Sequence, residues 1–196
     1  MWHSSFFSIS FCFLFFLLPH ENNSSSVNAV SVDLVNTTCK QCASKSAIFN
    51  YDFCVTSLQA VSISHVTNLQ GLAIIAMELA LGNATSTIST IEKMMTSGTF
   101  DPFAMDCLRD CVDLYADAAS MLVSSIAAFL QEYFDAANVL MSAVMEATST
   151  CEDGFTEKEG EVTPLTTENY NLSELSGISL CIINLVVSSE LSSMSS

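Results

Sequence analysis

The chain has 196 residues and carries five Lys and Arg against 21 Asp and Glu, a formal net charge of −16. So few cations cannot displace counterions from phosphates, which excludes nucleic acid as a partner. Half of the residues are apolar, enough for one domain with a sizeable core, and the acidic balance suits a basic partner or simple solubility.

The first element is a leader. Residues 6–18 form an apolar run of about a dozen residues, the length of a signal-peptide core and too short to cross a bilayer as a helix. Small residues at Val27-Asn28-Ala29 place a cleavage site after Ala29, with a cut nearer His20 as the alternative. Residues 1–29 are thus read as a signal peptide and 30–196 as one domain of a secreted protein. Of eight cysteines, all but Cys12 lie beyond the leader, at 39, 42, 54, 107, 111, 151 and 181. Secretion makes disulfides the default, and an odd count leaves one thiol over.

Residues 30–62 predict a small helical hairpin. Val32, Val35 and Cys39 lead in, while Phe53, Val55 and Leu58 lead out. A Cys39–Cys54 bridge would put the turn midway, between Ser46 and Ala47 in the polar ASKSA; Cys42 finds no partner inside this hairpin. A bundle follows over 65–190. Leu69, Leu72, Ala76, Leu79, Ile88, Ile91 and Met95 recur at helical spacing over 65–96. Gly82-Asn83 predicts a kink or break there, and Thr96-Ser97-Gly98 a stop.

Three signals open the next helix: Asp101 as cap, Pro102 in the first turn, and Phe100 stapling to Met105. From Cys111 to Cys151 there is no Gly or Pro, and apolar residues hold helical spacing on two arms. If a Cys111–Cys151 bridge clamps antiparallel arms, equal rise puts the turn at residue 131, where Gln131-Glu132 breaks the pattern. Each arm is then about 20 residues, or roughly 30 Å. Asp135 is the predicted cap of the second arm. Residues 151–164, with Gly154, Gly160, Pro164 and a cluster of acids, predict an exposed connector. Thr166-Thr167-Glu168 opens a last helix whose apolar stretch, 178–187, is too short to span a membrane, and whose serine-rich tail should fray. Cys107 and Cys181 fall on inward stripes, which makes a third bridge between them geometrically feasible. The predicted fold is all-α: an up-down-up-down four-helix bundle preceded by a small helical hairpin.

Chemistry is sparse. His65 is the one imidazole beyond the leader, and no nucleophile motif stands near it in SISHVT. No GxSxG, HExxH, Glu-x-x-His or Gly-rich phosphate loop occurs. Cys39-x-x-Cys42 lacks a second pair to complete a zinc tetrad. The sequence therefore calls for no metal, no cofactor and no catalytic residue. Methionines at helical spacing, among them Met77, Met121, Met141 and Met145, read as core filler. Sequons at Asn36, Asn83 and Asn171 are glycosylation candidates.

Several blocks taken together carry a resemblance: Cys39-Lys40, Asn50-Tyr-Asp-Phe-Cys54, Leu69-Gln-Gly-Leu72, Asp110-Cys-Val-Asp-Leu-Tyr-Ala-Asp117 and Cys151-Glu-Asp-Gly-Phe155. They resemble the plant invertase and pectin methylesterase inhibitors, especially the branch that holds the plane-tree major pollen allergen. The resemblance implies a secreted protein of the cell wall with disulfides Cys39–Cys54 and Cys111–Cys151. It also implies no catalysis, and a bundle that occludes the active site of an acid invertase or a pectin methylesterase. Invertase inhibitors of this family carry Pro-Lys-Phe between the second and third bundle helices. Here that place holds Phe134-Asp135-Ala136, which with Tyr133 makes the partner-contact candidates. A non-inhibitory secreted interaction protein, allergen-like, is the alternative.

Overall fold

The structure, a computed structural model, describes residues 24–194, with side chains over 34–193. Most of the expected leader lies outside the described residues. Six helices follow in order: α1 (Ser24–Ala43), α2 (Tyr51–Gln59), α3 (Leu69–Thr96), α4 (Pro102–Leu130), α5 (Phe134–Thr156) and α6 (Thr166–Met194), with a short 3-10 turn at Ser62–His65 before α3. No strand occurs among the described residues.

The four long helices form the bundle. α3 packs against α4 and α6, and α5 against the same two, so each helix has two neighbours around one core. Short connectors force neighbours antiparallel, and the chain runs up-down-up-down. Leu72, Met77, Ile91, Leu108, Leu122, Met141, Ile178 and Ile182 are fully buried between them. Burial of such side chains contributes roughly 1.5–3 kcal/mol each. The α1–α2 hairpin lies outside this square, against α6 and the entrance to α3.

The helix starts follow local chemistry. Asn50, Asn68 and Asp101 have extended backbones, and their side chains accept from the amides of Phe53, Gly71 and Ala104 at 2.9 Å. Each satisfies an amide that the first turn leaves unpaired.

Elsewhere tertiary packing overrides local signals. The break expected at Gly82-Asn83 does not form: α3 is continuous through it. Ala80 and Ala84 are buried on either side, and their packing outweighs a glycine cost of about 1 kcal/mol. The cap of α5 is Tyr133, not Asp135, which sits inside the first turn. The connector after α5 begins later than expected, because Cys151 and Phe155 are buried one turn apart and hold the helix to Thr156. The serine tail remains helical to Met194, its hydroxyls accepted by carbonyls within the helix, as at Ser188 and Ser192.

The last helix also needs a correction as a membrane candidate. By length and composition alone α3, α4 and α6 could each cross a bilayer, although 178–187 by itself could not. In the folded chain their apolar faces meet in the shared core.

Candidate partner-docking site

The turn between α4 and α5 closes as a tight helix stop. The amide of Tyr133 donates to the carbonyl of Ala128 at 2.9 Å, and that of Glu132 to Phe129 at 3.0 Å. This is a Schellman pattern, which places the residue just after the C-cap Gln131 left-handed; Glu132 occupies that position with φ of 63° where glycine is usual. Phe129 and Phe134 stack edge to face across the stop at 5.4 Å, fixing the angle between the helices. Ser125, fully buried, donates to the carbonyl of Ala137 at 3.1 Å one turn further in.

The partner-contact candidates meet here. Tyr133 is 64% exposed, Asp135 and Ala136 are exposed, and Phe134 is half-buried on the aromatic pair. With Glu132 and Val187 of α6 they line an open groove of about 520 Å³. Leu130, also 64% exposed, adds apolar surface at the same tip. An open, partly aromatic groove on a rigid turn suits contact with another protein.

Three disulfides brace the molecule. Cys39–Cys54 closes the α1–α2 hairpin with Cα atoms 5.6 Å apart, and Cys111–Cys151 ties α4 to α5 at 5.1 Å. The third is Cys42–Cys181, at 5.8 Å, which fastens the hairpin to α6. The pairing of Cys107 with Cys181 thus does not occur. Among the described residues Cys107 is the free thiol, and it lies beside α5, its Sγ 3.6 Å from the carbonyl of Gly154. Burial and the neighbouring Asp110 and Glu157 push this thiol above its ordinary pKa, so it is a poor nucleophile. Packing beside the third bridge brings the hairpin and α6 together. Gly177 lies one turn before Cys181, and a Cβ there would come within 3.2 Å of Phe49, so the hairpin loop sits in this notch.

Two buried polar features escaped the sequence reading. Tyr115 donates to Asn169 at 2.8 Å, and Asn169 donates to Glu152 at 2.6 Å, while Thr166 donates to the other oxygen of Glu152 at 2.7 Å. This chain links α4, α6 and α5. Burial first, then Glu168 and Glu152, push the Tyr115 hydroxyl well above its ordinary range. Glu174 is 2% exposed, and its Oε1 has no partner. Burial raises its pKa, against a smaller opposing effect from the Tyr170 hydroxyl.

His65 is half-buried in the 3-10 turn, and among the described residues no cluster of His, Cys, Asp or Glu is set to hold a metal. The sequons at Asn36, Asn83 and Asn171 lie in helices. Asn36 accepts from the Tyr51 hydroxyl at 3.2 Å, Asn83 has its Oδ1 buried without a partner, and Asn171 is half-buried on α6.

The fold is similar to that of solved pectin methylesterase inhibitors. One from Arabidopsis, a mutant form, superposes with a TM-score of 0.65 at 24% identity, over 75% of this chain and 95% of that one. The model of the family described as "Plant invertase/pectin methylesterase inhibitor" matches residues 33–182, and the chain belongs to that family. A Platanus acerifolia protein named "Putative invertase inhibitor" is 45% identical over 80% of this chain and 87% of its own length. The Arabidopsis thaliana "Cell wall / vacuolar inhibitor of fructosidase 2" is 28% identical over 78% and 84%. Members of the family are inhibitors of enzymes and not enzymes themselves.

Proposed function

We propose that the protein is a secreted inhibitor that occludes the active site of a cell-wall carbohydrate-active enzyme, an acid invertase or a pectin methylesterase. The observation that carries this reading is the α4–α5 tip. Tyr133, Phe134, Asp135 and Ala136 stand together around an open groove at the end of two helices that share a disulfide. A stiff wedge gives up little conformational entropy on docking, so more of its contact energy appears as affinity. Similarity to relatives named as invertase, fructosidase and pectinesterase inhibitors supports the two enzyme classes. In this reading the protein acts outside the cell, in the wall, without a cofactor, metal, nucleic acid or membrane span. Residues 30–62 form its hairpin and 65–190 its bundle, and Asn36, Asn83 and Asn171 are its glycan candidates.

The test is titration of the mature chain against both enzymes at about pH 5, where most carboxylates are ionised. Micromolar protein should slow one of them. Unchanged rates for both would end the assignment. One observation favours a second reading, a non-inhibitory secreted interaction protein resembling the allergens. The tip carries Phe134-Asp135-Ala136, whose charge is opposite to that of Pro-Lys-Phe. Cell-wall extract passed over immobilised protein would then yield partners other than a glycosidase or an esterase.

A further inference from the structure

A stripe of exposed carboxylates lies away from the tip, along the seam where α4 and α5 run antiparallel. On α4, Asp106, Asp110, Asp113 and Asp117 are all exposed and recur at helical spacing, so they form one stripe. Two grooves of about 410 and 230 Å³ follow the seam, and both are lined by Leu114 and Thr150, which makes them continuous. Their walls carry Asp106, Asp110, Asp117, Glu146, Asp153 and Glu157. Their floor is apolar, with Phe103, Leu114 and Met121.

No basic residue lines either groove. Arg109 is paired with Asp106, and Lys158 is held by Asp101 and Glu161. The remaining cations of the mature region, Lys40, Lys45 and Lys93, belong to α1, the hairpin loop and α3. Asp106 is already paired with Arg109, but the other five carboxylates along the trough, Asp110, Asp117, Glu146, Asp153 and Glu157, repel each other, and that repulsion is relieved when cations enter. At one end the floor is shared with Lys158, whose ammonium sits 5.1 Å over the Phe103 ring; from Leu114 to Met121 the apolar floor suits the aliphatic stems of Lys and Arg, whose heads would reach the walls. A second copy of this chain is a poor occupant, because two chains of net charge −16 repel.

We infer that this seam is the docking groove for a basic segment of the partner protein, one with two or three Lys or Arg separated by apolar residues. The carboxylates of α4 span about 16 Å at 1.5 Å per residue, the reach of such a segment. The inference deepens the inhibitor reading and rests on it for the partner's identity. What it adds is the face used, the chemistry of the partner's contact, and fast association that salt suppresses.

The test has two arms, both with the mature chain. In the first, the isotope-labelled protein is titrated with the peptide acetyl-Lys-Leu-Arg-Leu-Lys-amide, followed by amide chemical shifts. Shifts should concentrate in residues 106–117 and 146–157. They should weaken at least tenfold in the Asp110→Asn, Asp117→Asn, Glu146→Gln variant, whose altered side chains are all exposed. Shifts spread evenly over the acidic surface, or unchanged by the substitutions, would overturn the proposal. In the second arm, whichever of acid invertase and pectin methylesterase the wild type inhibits is titrated with the same variant. A tenfold or greater rise in the inhibition constant supports the groove. Equal inhibition removes the groove and leaves the inhibitor reading intact. If the peptide binds the seam but neither enzyme is inhibited, the inhibitor reading falls and the groove stands as a binding face for another basic partner.

Discussion

At the scale of single residues, the sharpest departure from local preference is Glu132, left-handed at the α4 stop. A side chain in that conformation costs about 1–2 kcal/mol, partly offset in glycine by the greater freedom of its unfolded chain. Glu132→Gly should therefore stabilise the protein by about 0.5–1 kcal/mol, read as a higher urea midpoint. Tyr115 makes the opposite case. Its hydroxyl supplies the bond that Asn169 accepts in the core, and Tyr115→Phe leaves that oxygen unpaired. The cost should be about 1–3 kcal/mol by the same measurement. Glu174 sets a pH dependence. Its folded pKa is raised by burial, so its contribution to stability is full below its ordinary value of 4.5 and is lost as pH rises through the folded value. Asp101, held low by Lys158 first and by the Ala104 amide next, acts in the other direction and loses its contribution as pH falls. The difference between wild type and Glu174→Gln isolates the first effect. The decline in stability as pH rises above 4.5 should be shallower in the variant. An identical slope would show that Glu174 does not titrate there.

At the scale of elements, the hairpin is the part whose position depends on the rest of the molecule. Two attachments hold it to α6 a turn apart: the Cys42–Cys181 bridge and the contact of Phe49 and Ile48 with Gly177. Removing the bridge with Cys42→Ala and Cys181→Ala opens a loop of 139 residues. The expected loss is about 2–5 kcal/mol by the chain-entropy account, measured by chemical denaturation. Gly177→Leu tests the other attachment. Its side chain would occupy the space of the Phe49 ring, so amides over 44–50 should exchange with solvent faster while the α4–α5 core stays protected. Equal exchange would mean that the loop does not rest on this notch.

At the scale of the whole molecule, the pairing of the cysteines predicts a countable outcome. A chain of residues 30–196, unfolded without reductant, should take up one equivalent of a thiol reagent, at Cys107, and the native chain should react far more slowly. Three equivalents would remove the third bridge. Much of the fold was legible in the chain itself. Helical spacing, the Asp101 cap, and the Gly-free, Pro-free run from 111 to 151 all act between residues close in sequence, so they can be read without knowing the neighbours. The junction of α4 and α5 was legible as well, because Gln131-Glu132 breaks the pattern between two readable helices; Tyr133 caps α5 and Phe134 to Ala136 form its first turn. The continuity of α3 through Gly82, the bond between Cys42 and Cys181, the solitary Cys107, the buried Glu174 and the acidic seam were decided only in the tertiary structure. Each depends on which helix face meets which other face, and residues far apart in the chain set that together, through burial and repulsion that no local pattern encodes.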